Sequence, residues 1–370
     1  MGARIKVFLV LECGSAYGVG QQVAALCRHI DPARFEPWVV YALRPGCTRE
    51  EFERMTASAH RHLHLPEMVR PIRPLQDLAA FWTLYRLMRR EKPDVVHAHS
   101  SKAGGLARAA AWLAGVPRIY YTPHGYSFLQ TDAGALRRWS YWGIEKALSW
   151  IGHIVACSAG EQALARRLSW GREVFLVRSL FALKPPPPRS RGSDGVVLVG
   201  AVGRLTPARN PEAFLRLAER LGRTHPEARF IWLGGGEAEA EFRREVSRRG
   251  LSDKLEVTGH LPHGRLLERF VDLDVFVHYS RWEGSPIALH EAMGLGLPVV
   301  ASDISGNAEL VVPGVTGYLA DSEDALLAHV SRLVASADLR ARLGREGQAW
   351  IAREVSLEKS VAALERLYAA

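Results

Sequence analysis

The chain is poor in cysteine. Four occur in 370 residues, Cys13, Cys27, Cys47 and Cys157, all in the first half and none at Cys-x-x-Cys spacing. That excludes a disulfide framework and a zinc ribbon, and leaves reduced structural thiols in a cytosolic protein as the expectation. Long apolar runs are missing too: nothing reaches the roughly 18 residues of a spanning helix. The opening Met1-Gly-Ala-Arg-Ile-Lys-Val-Phe-Leu-Val-Leu meets Glu12 too soon for a signal peptide, and reads as a first buried strand. No Gly-x-x-x-x-Gly-Lys-Ser/Thr occurs, so the chain is not a P-loop ATPase. No Gly-x-Gly-x-x-Gly follows the first strand, which argues against an NAD-dependent dehydrogenase. No metal site is spelled out either. His60, His62 and His64 alternate on one face of a possible strand with no acid or cysteine spaced to complete a site. Asp272-Leu-Asp274 sits between a helix and the strand Val275–His278, where a helix end explains it.

What is present is an ordinary soluble balance, 48% hydrophobic and 24% charged, long enough for two domains. The net charge is +9, unevenly spread: residues 1–184 hold 25 basic against 14 acidic residues, and the remainder 23 against 25. The split suggests that the halves meet different partners, with an anionic membrane surface, an anionic acceptor or nucleic acid open to the first. Lys184-Pro-Pro-Pro-Pro-Arg-Ser-Arg-Gly-Ser-Asp-Gly195 is the one evident linker, since four prolines suit neither a helix nor a sheet interior. The division read from it is a first domain 1–184, a linker 185–195 and a second domain 196–356. A last helix is predicted over Leu357–Ala369. Strands are predicted at Ile5–Leu11, Pro37–Ala42, Val95–His97, Ile119–Thr122, Ile154–Cys157 and Val174–Val177. In the second half they are predicted at Val196–Val202, Arg229–Leu233, Leu255–Thr258, Val275–His278, Val299–Ala301 and Gly317–Leu319. Amphipathic stretches such as Leu75–Arg90 and Pro211–Gly222 alternate with them. The fold class is α/β, with two Rossmann-like, doubly wound parallel-sheet domains facing a cleft.

The densest motif is Ser280-Arg-Trp-Glu283-Gly284-Ser285-Pro286-Ile287-Ala-Leu-His-Glu291-Ala-Met-Gly-Leu-Gly-Leu-Pro-Val-Val-Ala301. Backbone N–H groups at the start of its helix suit a phosphate, and its carboxylates accept hydrogen bonds from sugar hydroxyls. Gly203-Arg204-Leu-Thr-Pro-Ala-Arg209-Asn puts two cations after a strand, where they can clamp a diphosphate. The Glu283–Glu291 block resembles the nucleotide-sugar signature of retaining glycosyltransferases of family 4, which have the GT-B fold, and in particular capsule and exopolysaccharide enzymes. The family's cation after Gly-Arg-Leu is a lysine. Arg209 stands there and keeps the charge as a planar fork.

The resemblance implies that the last helix, Leu357–Ala369, crosses back to the first domain, and it implies a role for each motif. Arg204 and Arg209 would stabilise the leaving diphosphate, Glu291 would hold the ribose, and Glu283 the sugar hydroxyls. Gly18 and Gly20, in the loop after the first strand, would approach the pyrophosphate. Gly234 and the Gly259-His260 loop would line the nucleoside pocket. His124, in Thr-Pro-His-Gly, would position the sugar. His99 and Lys102, at the end of another strand, are candidates to meet an anionic acceptor or to cap a helix. The reaction implied is retaining, metal-free transfer from a nucleotide sugar, UDP-linked by preference, to a saccharide or lipid-linked saccharide, with the nucleotide sugar as co-substrate and no cofactor. The implied place is the cytoplasm or, peripherally, the cytoplasmic membrane face, without nucleic acid. A nucleotide-sugar epimerase and a non-catalytic nucleotide-sugar-binding protein are the alternatives. Leu136–Trp150 sets three tryptophans among basic residues, and because apolar residues recur nearly all round it, most of it is expected to be a core helix.

Overall fold

The computed structural model describes residues 3–15, 18–44, 46–69, 71–131, 133–181, 188–190 and 195–370. The linker expected at 185–195 lies largely outside them. The chain forms two compact units, Met1–Ala182 with Ser356–Ala370, and Leu183–Val355.

The first unit runs β1 (Ile5–Gly14), α1 (Val19–His29), β2 (Phe35–Leu43), α2 (Arg49–Met55), β3 (Arg61–His64), α3 (Pro74–Glu91), β4 (Val95–His99), α4 (Ser101–Ala114) and β5 (Arg118–Thr122). It continues with α5 (Ala135–Leu148), β6 (His153–Ala156), α6 (Ala159–Leu168) and β7 (Val174–Leu176). Among the described residues its strands form a seven-stranded parallel sheet in the order β3-β2-β1-β4-β5-β6-β7. β3, the possible strand marked by the alternation of His60, His62 and His64, is not an apolar run, because its Arg-His-Leu-His is polar and it lies at an edge. His60 and His62 there bind local partners, Glu36 and Thr56.

The second unit runs β8 (Val197–Val202), α7 (Pro211–Thr224), β9 (Ala228–Leu233), α8 (Glu239–Arg248), β10 (Leu255–Val257), α9 (His263–Phe270) and β11 (Val275–His278). Then follow α10 (Ile287–Gly294), β12 (Val299–Ser302), α11 (Ser305–Ala308), β13 (Gly317–Ala320), α12 (Glu323–Ala335) and α13 (Ala337–Glu354). Its six described strands are parallel in the order β10-β9-β8-β11-β12-β13. Asp272 and Asp274 brace this sheet: Asp272 accepts from Ser190, and Asp274 from the Leu198 N–H.

Near-continuous apolar strands fit sheets covered on both faces. In the first unit α3, α4 and α6 cover one face. α1, α2 and the last helix, α14 (Leu357–Ala369), cover the other. α14 buries Leu357, Val361, Leu364 and Tyr368, one stripe at helical spacing. Its C-terminal carbonyls also accept bonds from Arg118 and Tyr120.

α5 departs from the sequence expectation. It is not a core helix: Leu136 is 87% and Trp139 68% exposed, and Glu145 is the residue of α5 that is buried. Glu145 is drawn inward because it pairs with buried Arg108 and accepts a bond from Tyr121. A buried charge needs such partners, and meeting them turns the apolar side of the helix outward.

Candidate active site

In both sheets the chain winds outward from a central strand and then returns to its other side. Loops at the carboxyl ends diverge at that switch, where open α/β sheets bind ligands. The switch falls between β8 and β11 in the second unit, and between β1 and β4 in the first.

At the β8/β11 switch, Arg209 forms an ion pair with Glu283 and donates to Ser280 Oγ at 3.2 Å. His278, the last residue of β11, sits beneath them, its Nε2 3.1 Å from Glu283 Oε1 and 3.3 Å from Ser280 Oγ. Burial, helped by the Arg209 charge, holds His278 well below the usual histidine range, so the imidazole is neutral. Arg209 can reach this place because its side chain lies over Gly203, where a Cβ would come within 3.1 Å of its Nε. The loop is fixed further by Arg281, whose N–H donates to Ala208 O at 2.8 Å. Gly306 supports it from below, since a Cβ there would stand 3.0 Å from Glu283 O and 2.9 Å from Gly284 O.

Glu291 is the fifth residue of α10, just over one turn in and partly buried. Gly284, Ser285 and Pro286 lead into the first turn of α10 at Ile287, whose backbone N–H groups are those a helix leaves for an anion. Arg204 pairs with Glu237 at 2.8 Å. The Gly234-Gly-Gly loop packs directly on Gly203–Leu205, with the Leu205 N–H donating to Gly235 O at 2.9 Å. Gly234 bridges to Gly259, and His260 is exposed beside it. The donor-site candidates of this unit are thus gathered on neighbouring loops at one sheet edge.

In the first unit, Gly18 precedes α1 at φ 55°, and Gly20 passes so close to the Ser15 carbonyl that a Cβ would collide with it. His124 follows β5 with φ 54°, a left-handed backbone unusual for a non-glycine residue. Its Nε2 lies 3.0 Å from His99 Nδ1, and its Nδ1 3.5 Å from Gln22 Nε2. With Gln22 donating, His124 is the donor to His99. His124 keeps part of its surface exposed, yet burial around the ring pushes its pKa down to about 3. His99, buried, packs at a tilt against His97, with ring centroids 4.3 Å apart, and His97 in turn holds Tyr368 of α14 at 2.6 Å. Lys102, the other acceptor or capping candidate, has partners within the first unit. Its ammonium donates to Val69 O at 2.6 Å and to Pro71 O at 2.5 Å and forms an ion pair with Asp77 at 2.5 Å. The first turn of α4 is likewise engaged, because the Ala103 N–H donates to Glu12 at 3.1 Å.

Sequence reasoning overlooked His278, Ser280 and Glu161. The signal for His278 was present: a polar residue closing an otherwise apolar strand, Val-Phe-Val-His, directly before the Glu283 loop. Glu161 stands at capping-box spacing from Ser158, which marks only a helix start, and its reach to the Gly125 N–H, 36 positions away, carried no local signal.

Two family models match the chain: glycosyltransferase family 4 over residues 16–175, and glycosyl transferases group 1 over residues 188–350. A GDP-mannose-dependent alpha-mannosyltransferase of Mycolicibacterium smegmatis is 31% identical, with 67% of each chain covered. The chain belongs to glycosyltransferase family 4. It is therefore a retaining glycosyltransferase that uses nucleotide sugars. A galactosyltransferase of Escherichia coli, which takes UDP-Gal to GlcNAc-diphosphoundecaprenol, is 28% identical over 71% of this chain and 72% of its own. Among solved structures, HepE of Anabaena, with UDP and glucose, covers 99% of this chain and 100% of its own at TM-score 0.79 and 16% identity. Sucrose-phosphate synthase of Thermosynechococcus elongatus covers 99% and 98% at TM-score 0.80 and 20% identity. These two establish the GT-B fold. Among the described residues no helix is long and apolar enough to cross a membrane.

Proposed function

We propose that this glycosyltransferase moves a sugar from a UDP-sugar to a hydroxyl of a lipid-linked saccharide, in cell-surface polysaccharide synthesis, as a peripheral protein on an anionic membrane. The observation that carries the donor half is the Arg209–Glu283 pair at the β8/β11 switch, with neutral His278 beneath it. A diphosphate drawn to this edge meets a guanidinium already held in place. Preorganised donors that stabilise the charge building on the leaving group are the strongest aid such a site can give the reaction. Arg209 and Arg204 serve the diphosphate, the first turn of α10 adds backbone N–H groups, Glu291 takes the ribose hydroxyls, and Glu283 orients the sugar. The Gly234 and Gly259-His260 loops line the nucleoside. In the first unit, His124, held by His99 and Gln22, and the Gly18–Gly20 loop are the contributors. Retention follows from a front-face route in which the donor phosphate accepts the proton of the attacking hydroxyl.

The preference for UDP and for a lipid-linked acceptor is supported by the Escherichia coli relative, whose donor and acceptor are both of these kinds. The mannosyltransferase relative argues for GDP instead. Thermal-shift measurements with UDP, GDP, ADP and dTDP separate these, because a specific ligand raises the midpoint by mass action. A shift with GDP and none with UDP overturns the donor assignment. Transfer of label from UDP-sugars into an extractable lipid-linked saccharide tests the acceptor. Label recovered only in soluble saccharide removes the lipid.

A further inference from the structure

Exposed tryptophans are concentrated in one part of the molecule. Trp82, Trp112, Trp139, Trp142, Trp150 and Trp170 are all exposed, and all belong to the first unit. On α5 the inward turn of Glu145 leaves Leu136, Trp139, Gly143 and Ala147 on the outer side, at i, i+3, i+7 and i+11. On α3, Leu75, Leu78 and Trp82 recur at i, i+3 and i+7, exposed by 85%, 55% and 42%. Arg86 and Arg89 continue the same stripe. α4 packs against both α3 and α5, so the two stripes belong to one helical layer on one face of the sheet. Its Trp112 meets Trp150 edge to face at 5.2 Å.

The charge of this layer has one dominant sign. Residues 73–172 hold 14 basic and six acidic residues, a net +8 of the chain's +9. Three of those acids do not balance the outer surface: Asp77 pairs with Lys102, Glu145 with Arg108, and Glu161 is buried. Arg137 and Arg138 flank the exposed Leu136 and Trp139. A second copy on this face would set one basic layer against another, which like-charge juxtaposition disfavours. An anionic bilayer interface fits both features. Tryptophan rings settle at the headgroup level, leucines reach the acyl boundary, and arginines meet lipid phosphates.

We infer that the outer faces of α3 and α5 insert shallowly into an anionic membrane, so that docking combines apolar insertion with charge. This rests on the peripheral, lipid-linked reading above and deepens it, by naming the surface and adding insertion to charge attraction.

The full chain is floated with vesicles of phosphatidylglycerol in phosphatidylcholine, and with phosphatidylcholine alone. Tryptophan emission and its quenching by brominated acyl chains are read on the same samples. The expected result is binding to the anionic vesicles with a blue shift and quenching, part of which survives high salt. The double variant Leu136→Ser, Trp139→Ser loses about tenfold or more in vesicle affinity, whereas Trp139→Phe retains most of it. Arg137→Glu with Arg138→Glu loses the preference for phosphatidylglycerol. These side chains are exposed, so the thermal unfolding midpoint should be nearly unchanged in every variant. Absence of flotation overturns the inference, as does a double variant that floats like the parent. So does binding that salt abolishes without any quenching, which would mean charge alone. Light scattering that finds a dimer dissolved by the double variant assigns the face to a second copy instead. UDP affinity by calorimetry is read in parallel. Vesicle binding without UDP binding leaves this inference standing while the donor reading falls, and the reverse result sinks the docking face alone.

Discussion

Glu161 Oε1 accepts the backbone N–H of Gly125 at 2.7 Å, while its Oε2 accepts that of Cys157 at 2.8 Å. One carboxylate of α6 thus ties the end of β6 to the turn in which His124 and Gly125 both have positive φ, 54° and 94°. A non-glycine residue in that conformation persists only where its surroundings hold it. Burial pushes the Glu161 carboxyl up, and the two N–H bonds oppose the shift. Replacing Glu161 by alanine strands two donors, at a cost of about 1–3 kcal/mol for each group left unsatisfied. The expected outcome for Glu161→Ala is a kcat lowered by about tenfold or more through a misplaced His124, with UDP affinity intact. Glu161→Gln retains one acceptor and should recover part of the rate. A fall in UDP affinity equal to the fall in kcat would show that the damage is not local to His124.

Arg209 is expected to act on the diphosphate. It lies at the β8/β11 switch with Glu283 and Ser280 as its partners. Charge-assisted bonds to phosphate are about twice as strong as neutral ones, so Arg209→Ala should weaken UDP binding far more than uridine binding. Arg209→Lys keeps the charge without the fork and should fall between the two. Calorimetry with both ligands decides the matter: equal losses for UDP and uridine would make Arg209 a bystander.

Both parallel sheets were legible because their strands are short apolar runs bounded by turn residues, a pattern that survives without knowledge of partners. β3 escaped that pattern, since an edge strand with a polar sequence lacks the run. The second-unit candidates, from Arg204 to Glu291, were legible because strand ends announce themselves locally, and the fold gathers them at one edge. The orientation of α5 was hidden. Its apolar residues fit a core helix until Glu145 finds Arg108 and Tyr121, 37 and 24 positions away in the chain. The partners of Lys102 were hidden for the same reason, because the carbonyls of Val69 and Pro71 that it meets lie outside any local window.

Glu291 is expected to carry nucleoside binding from its place one turn into α10. Hydrogen bonds to charged groups contribute about 1.5–3 kcal/mol, so Glu291→Gln should weaken both UDP and uridine by a similar factor. That parallel loss is the opposite of the Arg209 pattern. Unchanged uridine affinity in the Gln variant would remove the assignment.

The last prediction concerns acid. His97 is buried between Thr122 Oγ1, 2.8 Å from its Nε2, and Tyr368 Oη, 2.6 Å from its Nδ1. Burial, and after it the neighbouring His124 charge, lowers its pKa from 6.5 to about 3. The folded state therefore binds fewer protons than the unfolded state in that interval. The stability this neutral histidine contributes is complete above about pH 6.5 and is lost as pH falls toward about pH 3. The slope is at most about 1.4 kcal/mol per pH unit for one group. Tyr368 belongs to α14, so the cost of charging buried His97 falls where that helix meets the sheet. Amide exchange of α14 should accelerate with falling pH, after correction for intrinsic rates, before that of β8 and β9 in the other unit. His97→Gln should be less stable at neutral pH but show a shallower acid dependence. The slope will not vanish, because burial lowers His99 and His124 as well. An acid slope in the Gln variant as steep as in the parent would assign the sensitivity to those two rings and clear His97 of it.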